Sequence, residues 1–150
     1  MTARSAGLLL WRGEAGAREV WIAHMGGPFW ARKHDRAWSI PKGEHGDDEH
    51  PLAAAKREFA EELGVPAPER DYVLLGEYRY SSGKRLTVYA ADGTGFEPPR
   101  LDPGLFELEW PPRSGQRRSF PEIDEARWVA LEDARRLLVA GQVPMLDDLP

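Results

Sequence analysis

The sequence predicts an α/β fold in a single domain spanning residues 1–150, and three observations carry that prediction. β-prone apolar runs recur along the chain, at 6–11, 20–25, 72–80, 85–91 and 126–130. Among them lies one stretch, 51–63, whose apolar residues recur at helical spacing instead. The chain has 150 residues, 41% of them hydrophobic and 30% charged, which is about one domain with enough apolar surface to bury a core unaided by staples.

Ala6 to Trp11 and Val20 to Met25 flank a polar segment containing glycine, so they read as a hairpin. Gly26 to Ala37, GGPFWARKHDRA, has no periodicity, and a dozen such residues inside a compact domain mark a functional loop. Trp38 to Ile40 is a short strand leading into Pro41-Lys42-Gly43. The central helix starts near Pro51, which suits a first helical turn. Leu52, Ala55, Phe59 and Leu63 form its buried stripe. Gly64 offers a left-handed cap and Pro66 blocks continuation. Tyr72 to Tyr80 and Arg85 to Ala91 pair around the turn Ser81-Ser82-Gly83. Leu105 to Trp110 is a further short strand, and Pro111 to Pro121 a basic loop. Ala126 to Ala130 is a last strand, and Leu131 to Ala140 a final amphipathic helix. No internal repeat or second-domain boundary interrupts this order.

Composition narrows the function. The chain has no cysteine, so disulfides, zinc-thiolate sites and cysteine nucleophiles are excluded. A net charge of -5 argues against binding a nucleic-acid duplex, which favours a basic face. The apolar run before Arg12 is too short for a signal-peptide core or a membrane span, so the expectation is a cytoplasmic protein without a membrane partner. Its oligomeric state is not legible. The four histidines, His24, His34, His45 and His50, lack a credible metal-ligand pattern and read as structural or exposed.

The acids between Glu44 and Glu62 are more informative. Glu58, Glu61 and Glu62 stand at i, i+3 and i+4 and therefore share one helix face. Like charges at that spacing cost an isolated helix a few tenths of a kcal/mol per pair, roughly. A solvated acidic face leaves that repulsion unanswered, whereas a divalent cation offsets it. Oxygen ligands without sulfur select hard cations, so Mg2+ fits best, with Mn2+ a substitute.

The whole stretch Gly43 to Val65, GEHGDDEHPLAAAKREFAEELGV, resembles the Nudix box at every fixed position: Gly43, Glu49, Arg57-Glu58, Glu61-Glu62 and Gly64, with Phe59 and Val65 in the hydrophobic slots. The resemblance implies a Nudix fold, a mixed β-sheet sandwiched between α-helices. It implies a Mg2+-dependent hydrolase of nucleoside diphosphate derivatives, with Glu58, Glu61, Glu62 and the Lys42 carbonyl at the metal. Arg57 is then expected to orient a glutamate, with Glu49 in support. The Lys42 side chain is either a phosphate contact or a plain surface lysine. A carboxylate must accept the proton from attacking water, and Glu61 is one candidate. Nudix enzymes often carry another acid ahead of a late tryptophan. PEIDEARW offers Glu122 and Glu125 before Trp128, and Glu122 is preferred.

Three features bear on substrate. WSIPKGE, Trp38 to Glu44, is similar to the entry to the box in Nudix enzymes of diadenosine polyphosphates, capped RNA ends and diphosphoinositol phosphates. Tyr80 stands sixteen residues after Gly64, where diadenosine polyphosphate hydrolases carry a tyrosine, although a core role fits Tyr80 equally. Phe29 and Trp30 beside Arg32 and Lys33 pair stacking surfaces with charge, as a nucleotide requires. Arg113, Arg117 and Arg118 are candidate clamps for distal phosphates, or merely solubilise their loop. The ADP-ribose subgroup typically has a proline near the position of Tyr80, which this chain lacks. The expected partner is thus a small-molecule nucleotide, foremost a dinucleoside polyphosphate. The alternatives are an oxidised nucleoside triphosphate to be sanitised, or nucleotide bound by a catalytically silent sensor. Retention of all three glutamates disfavours the sensor.

Overall fold

The computed structural model describes residues 3–150. β1 (Arg4–Arg12) and β2 (Glu19–Met25) form the expected antiparallel hairpin, but they pair only at Trp11 with Val20 and Arg12 with Glu19. Beyond that point they part. β3 (Trp38–Ser39) then pairs with β2 at Ala23 and His24, and β4 (Lys42–Glu44) with β1 from Ser5 to Gly7. The two short strands form a wedge in the opened sheet, tied at its tip by Leu8 N donating to the Pro41 carbonyl at 3.2 Å. Gly7 permits this close seating, because a Cβ there would lie 2.8 Å from the Pro41 oxygen and 2.9 Å from Lys42 Cβ.

β5 (Val73–Arg79) and β6 (Arg85–Asp92) form the second hairpin, and β6 runs parallel to β1 along its whole length. β9 (Ile123–Ala130) lies antiparallel on the other edge of β2. The result is a seven-stranded mixed sheet. β7 (Leu105–Glu109) and β8 (Arg117–Pro121) make a separate two-stranded ribbon.

Strand alternation sends apolar side chains to both faces, and both are covered. On one face Leu8, Leu10, Trp21 and Ala23 pack against Ala54, Ala55, Phe59 and Leu63 of α1 (Pro51–Leu63). Phe59 is fully buried and meets Phe96 edge-on, with ring centroids 5.8 Å apart. On the opposite face Leu9, Ile22, Trp38 and Ile40 pack against α2 (Leu131–Leu137) and a 3₁₀ segment, Ala140–Asp148. A mixed sheet between helical layers is the fold class the sequence predicts.

Two expectations need correction. The stretch from Pro111 to Pro121 is not all loop: Arg117 to Pro121 form β8, so Arg117 and Arg118 stand on a strand. The last helix ends at Leu137, three residues early. Leu138 turns extended, φ -67° and ψ 147°, and bridges Trp38, while Val139 N donates to the Trp38 carbonyl at 2.9 Å. Pairing with the wedge overrides the helical pattern there.

Candidate active site

α1 is built to hold its acids still. The His50 side chain caps it by accepting from Leu52 N, Pro51 opens the first turn, and Gly64 closes the last at φ 72°. Burial of Ala55, Phe59 and Leu63 turns Glu58, Glu61 and Glu62 away from that core. Glu58 lies directly on the wedge. A Cβ added to Gly43 would fall 2.0 Å from the Glu58 carboxyl carbon, so only glycine admits this carboxylate.

Arg57 organises the group. Its guanidinium donates twice to Glu49, at 2.9 Å each, and through Nη1 to Glu58 Oε1 at 2.9 Å and Glu61 Oε2 at 3.3 Å. These charged hydrogen bonds, those to Glu49 foremost, raise the Arg57 pKa further and hold the Glu49 carboxyl below its usual range. Glu62 is instead held by the wedge, accepting from Lys42 N at 3.3 Å. Burial pushes the Glu62 carboxyl up to about 7, against the opposing charge and backbone bond of Lys42.

Glu122 joins this set through backbone. Leu63 O accepts from Asp102 N, Glu61 O from Gly104 N at 3.1 Å, and Gly104 O from Glu122 N at 2.8 Å. Glu122 O in turn accepts from Gly26 N at 2.9 Å. The end of α1, the segment 102–104, the start of β9 and the loop after β2 are therefore fixed to one another. Glu122 is raised above the ordinary carboxylate range by burial, then by the charges of Glu58 and Glu61.

Lys42, Glu58, Glu62 and Glu122 line one cleft of about 370 Å³ together with Trp30, Phe106, Met25 and Ile123. Charged oxygens and an ammonium thus share a concavity with two aromatic rings. Phe29 is exposed, meets Trp30 edge-on at 4.9 Å, and carries the Lys33 ammonium 3.5 Å over its ring. Glu61 and Arg57 flank the cleft without lining it. Glu125, on β9, lies outside the lining and approaches Arg127 at 3.8 Å.

Other candidates lie elsewhere. Tyr80 packs its ring on Gly141, and its hydroxyl accepts from Gln142 Nε2 at 2.9 Å. Arg117 approaches Glu107 at 3.4 Å. Neither Arg117 nor Arg118 reaches the cleft lining, and Arg113 sits at φ 63° in the ribbon's turn. Phe106 was not among the candidates. Its only sequence signal is the alternation of Leu105 to Glu109 after a flexible glycine, which does not say what the strand packs against.

The donor set suits a hard divalent cation, because every available group is an oxygen and the acids outnumber the lysine. Among the described residues no three acids already converge at ligand distances, since Arg57 engages Glu58 and Glu61. Closing such a site would need the Glu58 and Glu61 carboxylates to turn from Arg57 toward Glu62.

The family match defines the class, a hydrolase acting on phosphorus-containing anhydrides. The family model described as NUDIX domain matches residues 1–149, and the chain belongs to the Nudix family. Similar solved structures include an Ap4A hydrolase binary complex from C. elegans, with TM-score 0.66 and 21% identity over 98% of this chain and 94% of that one. The NUDIX domain of Shewanella oneidensis NrtR, complexed with ADP ribose, aligns with TM-score 0.62 and 14% identity over 99% and 86%. The E. coli ORF135 protein aligns with TM-score 0.58 and 19% identity over 98% and 87%. At these identities the likeness is one of fold. No curated protein matches the chain significantly.

Proposed function

We propose that the chain is a Mg2+-dependent pyrophosphohydrolase of nucleoside diphosphate derivatives, with a dinucleoside polyphosphate as its leading substrate. The observation that carries this reading is the cleft in which Lys42, Glu58, Glu62 and Glu122 meet Trp30 and Phe106. Such a cleft can take a phosphate chain against its charges and a base against its rings. Glu58, Glu61, Glu62 and the Lys42 carbonyl would hold the cation, which supplies charge neutralisation and a more acidic water.

The protein's own groups do the rest. Arg57 gathers the carboxylates of Glu49, Glu58 and Glu61 beside the cleft and offsets part of their mutual repulsion, so that Glu58 and Glu61 stand within a side-chain rotation of the cation they would hold. Glu122, made a stronger base than an exposed carboxylate by burial and by the charges of Glu58 and Glu61, would accept the proton from attacking water. The Lys42 ammonium faces the same cleft and opposes the negative charge of the phosphates. Trp30 gives a base a stacking surface. The WSIPKGE phrase favours dinucleoside polyphosphates over nucleoside triphosphates.

Diadenosine tetraphosphate, ADP-ribose and 8-oxo-dGTP should be incubated with Mg2+ and, separately, with EDTA, and products resolved by ion-exchange chromatography. The expected result is fastest cleavage of the dinucleotide and none in EDTA. Fastest cleavage of 8-oxo-dGTP would transfer the assignment to nucleotide sanitation. Binding of nucleotide with no cleavage at any metal concentration would leave a silent sensor.

A further inference from the structure

His24 lies in β2 with only 6% of its side chain exposed, yet both of its ring nitrogens are engaged. Nδ1 is 2.8 Å from Asp124 Oδ1, and Nε2 is 2.6 Å from the Lys33 carbonyl oxygen. A carbonyl can only accept. The ionised carboxylate of Asp124, 41% exposed, also accepts. A neutral imidazole has one N–H and satisfies one of these partners, whereas the imidazolium satisfies both. Only the charged ring makes both contacts as hydrogen bonds at once.

A bulge creates it. β2 and β9 pair regularly down to His24 with Glu125, after which Met25 pairs with Ile123 and Asp124 is the extra residue. Bulges re-aim side chains, and this one brings the Asp124 carboxylate to His24. The other bond reaches into the 26–37 loop. Lys33 N donates to the Trp30 carbonyl at 2.9 Å, so His24, Lys33 and Trp30 form one chain of hydrogen bonds. The remaining neighbours are the His34 ring at 6.3 Å and the Trp38 ring at 5.2 Å. Of the nearby charges, Glu125 sits opposite on β9, the Arg127 guanidinium covers Trp38 at 4.9 Å, and the Lys33 ammonium points away onto Phe29.

We infer that His24 is a positioning residue for the substrate wall: as an imidazolium it joins Asp124 to the Lys33 carbonyl and so holds Trp30 at the cleft. Histidine is the side chain that ordinarily changes charge between about pH 5 and 8. When the ring is neutral, its single hydrogen goes to the charged acceptor Asp124. The bare Nε2 then faces the Lys33 carbonyl, lone pair against lone pair, and the loop loses its tie. Removing Asp124 has the opposite effect, because a neutral ring can then give its one hydrogen to Lys33.

This inference rests on the reading of Trp30 as part of the binding site, and the two can fail separately. The experiment is ADP binding by calorimetry, with Mg2+ present, from pH 6 to 9, on the wild type, Asp124→Ala and Trp30→Ala. Nitrogen-15 shifts of His24 are followed in parallel. The wild-type Kd divided by the Asp124→Ala Kd at the same pH should rise about 3–10-fold as the His24 signals move from imidazolium to neutral, the loss expected for one hydrogen bond. The ratio cancels the change that the Glu62 carboxyl, held near 7, brings to both proteins over this range. A neutral His24 already at pH 6, or an Asp124→Ala profile that follows the wild type, would overturn the inference. Unchanged ADP affinity in Trp30→Ala would instead sink the wall reading, while the His24 shifts would still report whether the ring is charged.

Discussion

At Glu62 function and stability pull in opposite directions. Its carboxyl titrates near 4.5 when exposed and near 7 in the folded, metal-free protein, chiefly because burial disfavours the charge. Between those values the folded state binds the extra proton, so stability falls as pH rises from 4.5 to 7 and stays lower above that. Glu62→Gln removes the penalty. We predict that this variant, without metal, is more stable than wild type at pH 8 by on the order of 1–2 kcal/mol and gains nothing near pH 4. It should nevertheless lose at least about a hundredfold in turnover if Glu62 holds the cation as proposed. Denaturant melts at the two pH values and a phosphate-release assay check both halves. Glu122 makes a different prediction, because its proposed role is to accept the proton. Glu122→Gln should lower the single-turnover rate with little change in substrate binding, while Glu125→Gln, outside the cleft, should do less. The reverse ranking would move the role to Glu125, and no effect from either would leave Glu61.

Within an element, register separates residues that adjacency groups together. On the β7–β8 ribbon Phe106 pairs with Phe120 and Leu108 with Arg118, whereas Glu107 pairs with Ser119 and Glu109 with Arg117. Side chains alternate, so Arg118 shares the face of Phe106, a lining residue of the cleft, and Arg117 takes the other face beside Glu107. Arg118→Ala should therefore weaken binding of longer polyphosphates more than shorter ones, and Arg117→Ala should weaken neither. Inhibition constants for ADP, ATP and adenosine tetraphosphate would show it, and equal losses in the two variants would remove the clamp. This distinction was not legible in the sequence. RRSFP is exposed or partly exposed throughout, so it lacks the apolar alternation that marks a strand, and its pairing partner lies beyond a turn. α1, in contrast, was legible to its end residues, because its first-turn proline, apolar stripe and closing glycine are all local signals, although its His50 cap was not read. The cluster on α1 was legible for the same reason. Glu122 was reached only through resemblance. The His24–Asp124 pair spans 100 positions and depends on a bulge, which no local pattern announces.

Across the whole molecule, the cleft exists because β1 and β2 splay and a wedge fills the gap, so whatever braces the wedge supports the site. The brace comes from the far end of the chain. Gln142 in the 3₁₀ segment is fully buried; its Oε1 accepts from Ile40 N at 3.0 Å, and its Nε2 donates to Ser39 Oγ at 2.8 Å and the Tyr80 hydroxyl at 2.9 Å. One amide thereby joins the C-terminal layer, the end of the β5 hairpin and the backbone immediately before Lys42. Gln142→Leu would leave the buried Ile40 N–H without its acceptor, at a cost of about 1–3 kcal/mol. For a domain of this size that is a fall in Tm of roughly 3–10 °C. Tyr80→Phe keeps Ile40 satisfied and should cost less. The pair also tests what Tyr80 does. A bracing role predicts that Tyr80→Phe lowers Tm modestly and leaves the KM for diadenosine tetraphosphate unchanged. A direct substrate contact predicts a raised KM at nearly constant Tm. Thermal melts and initial rates on the two variants decide between them, and a Gln142→Leu protein as stable as wild type would show that the wedge does not depend on this brace.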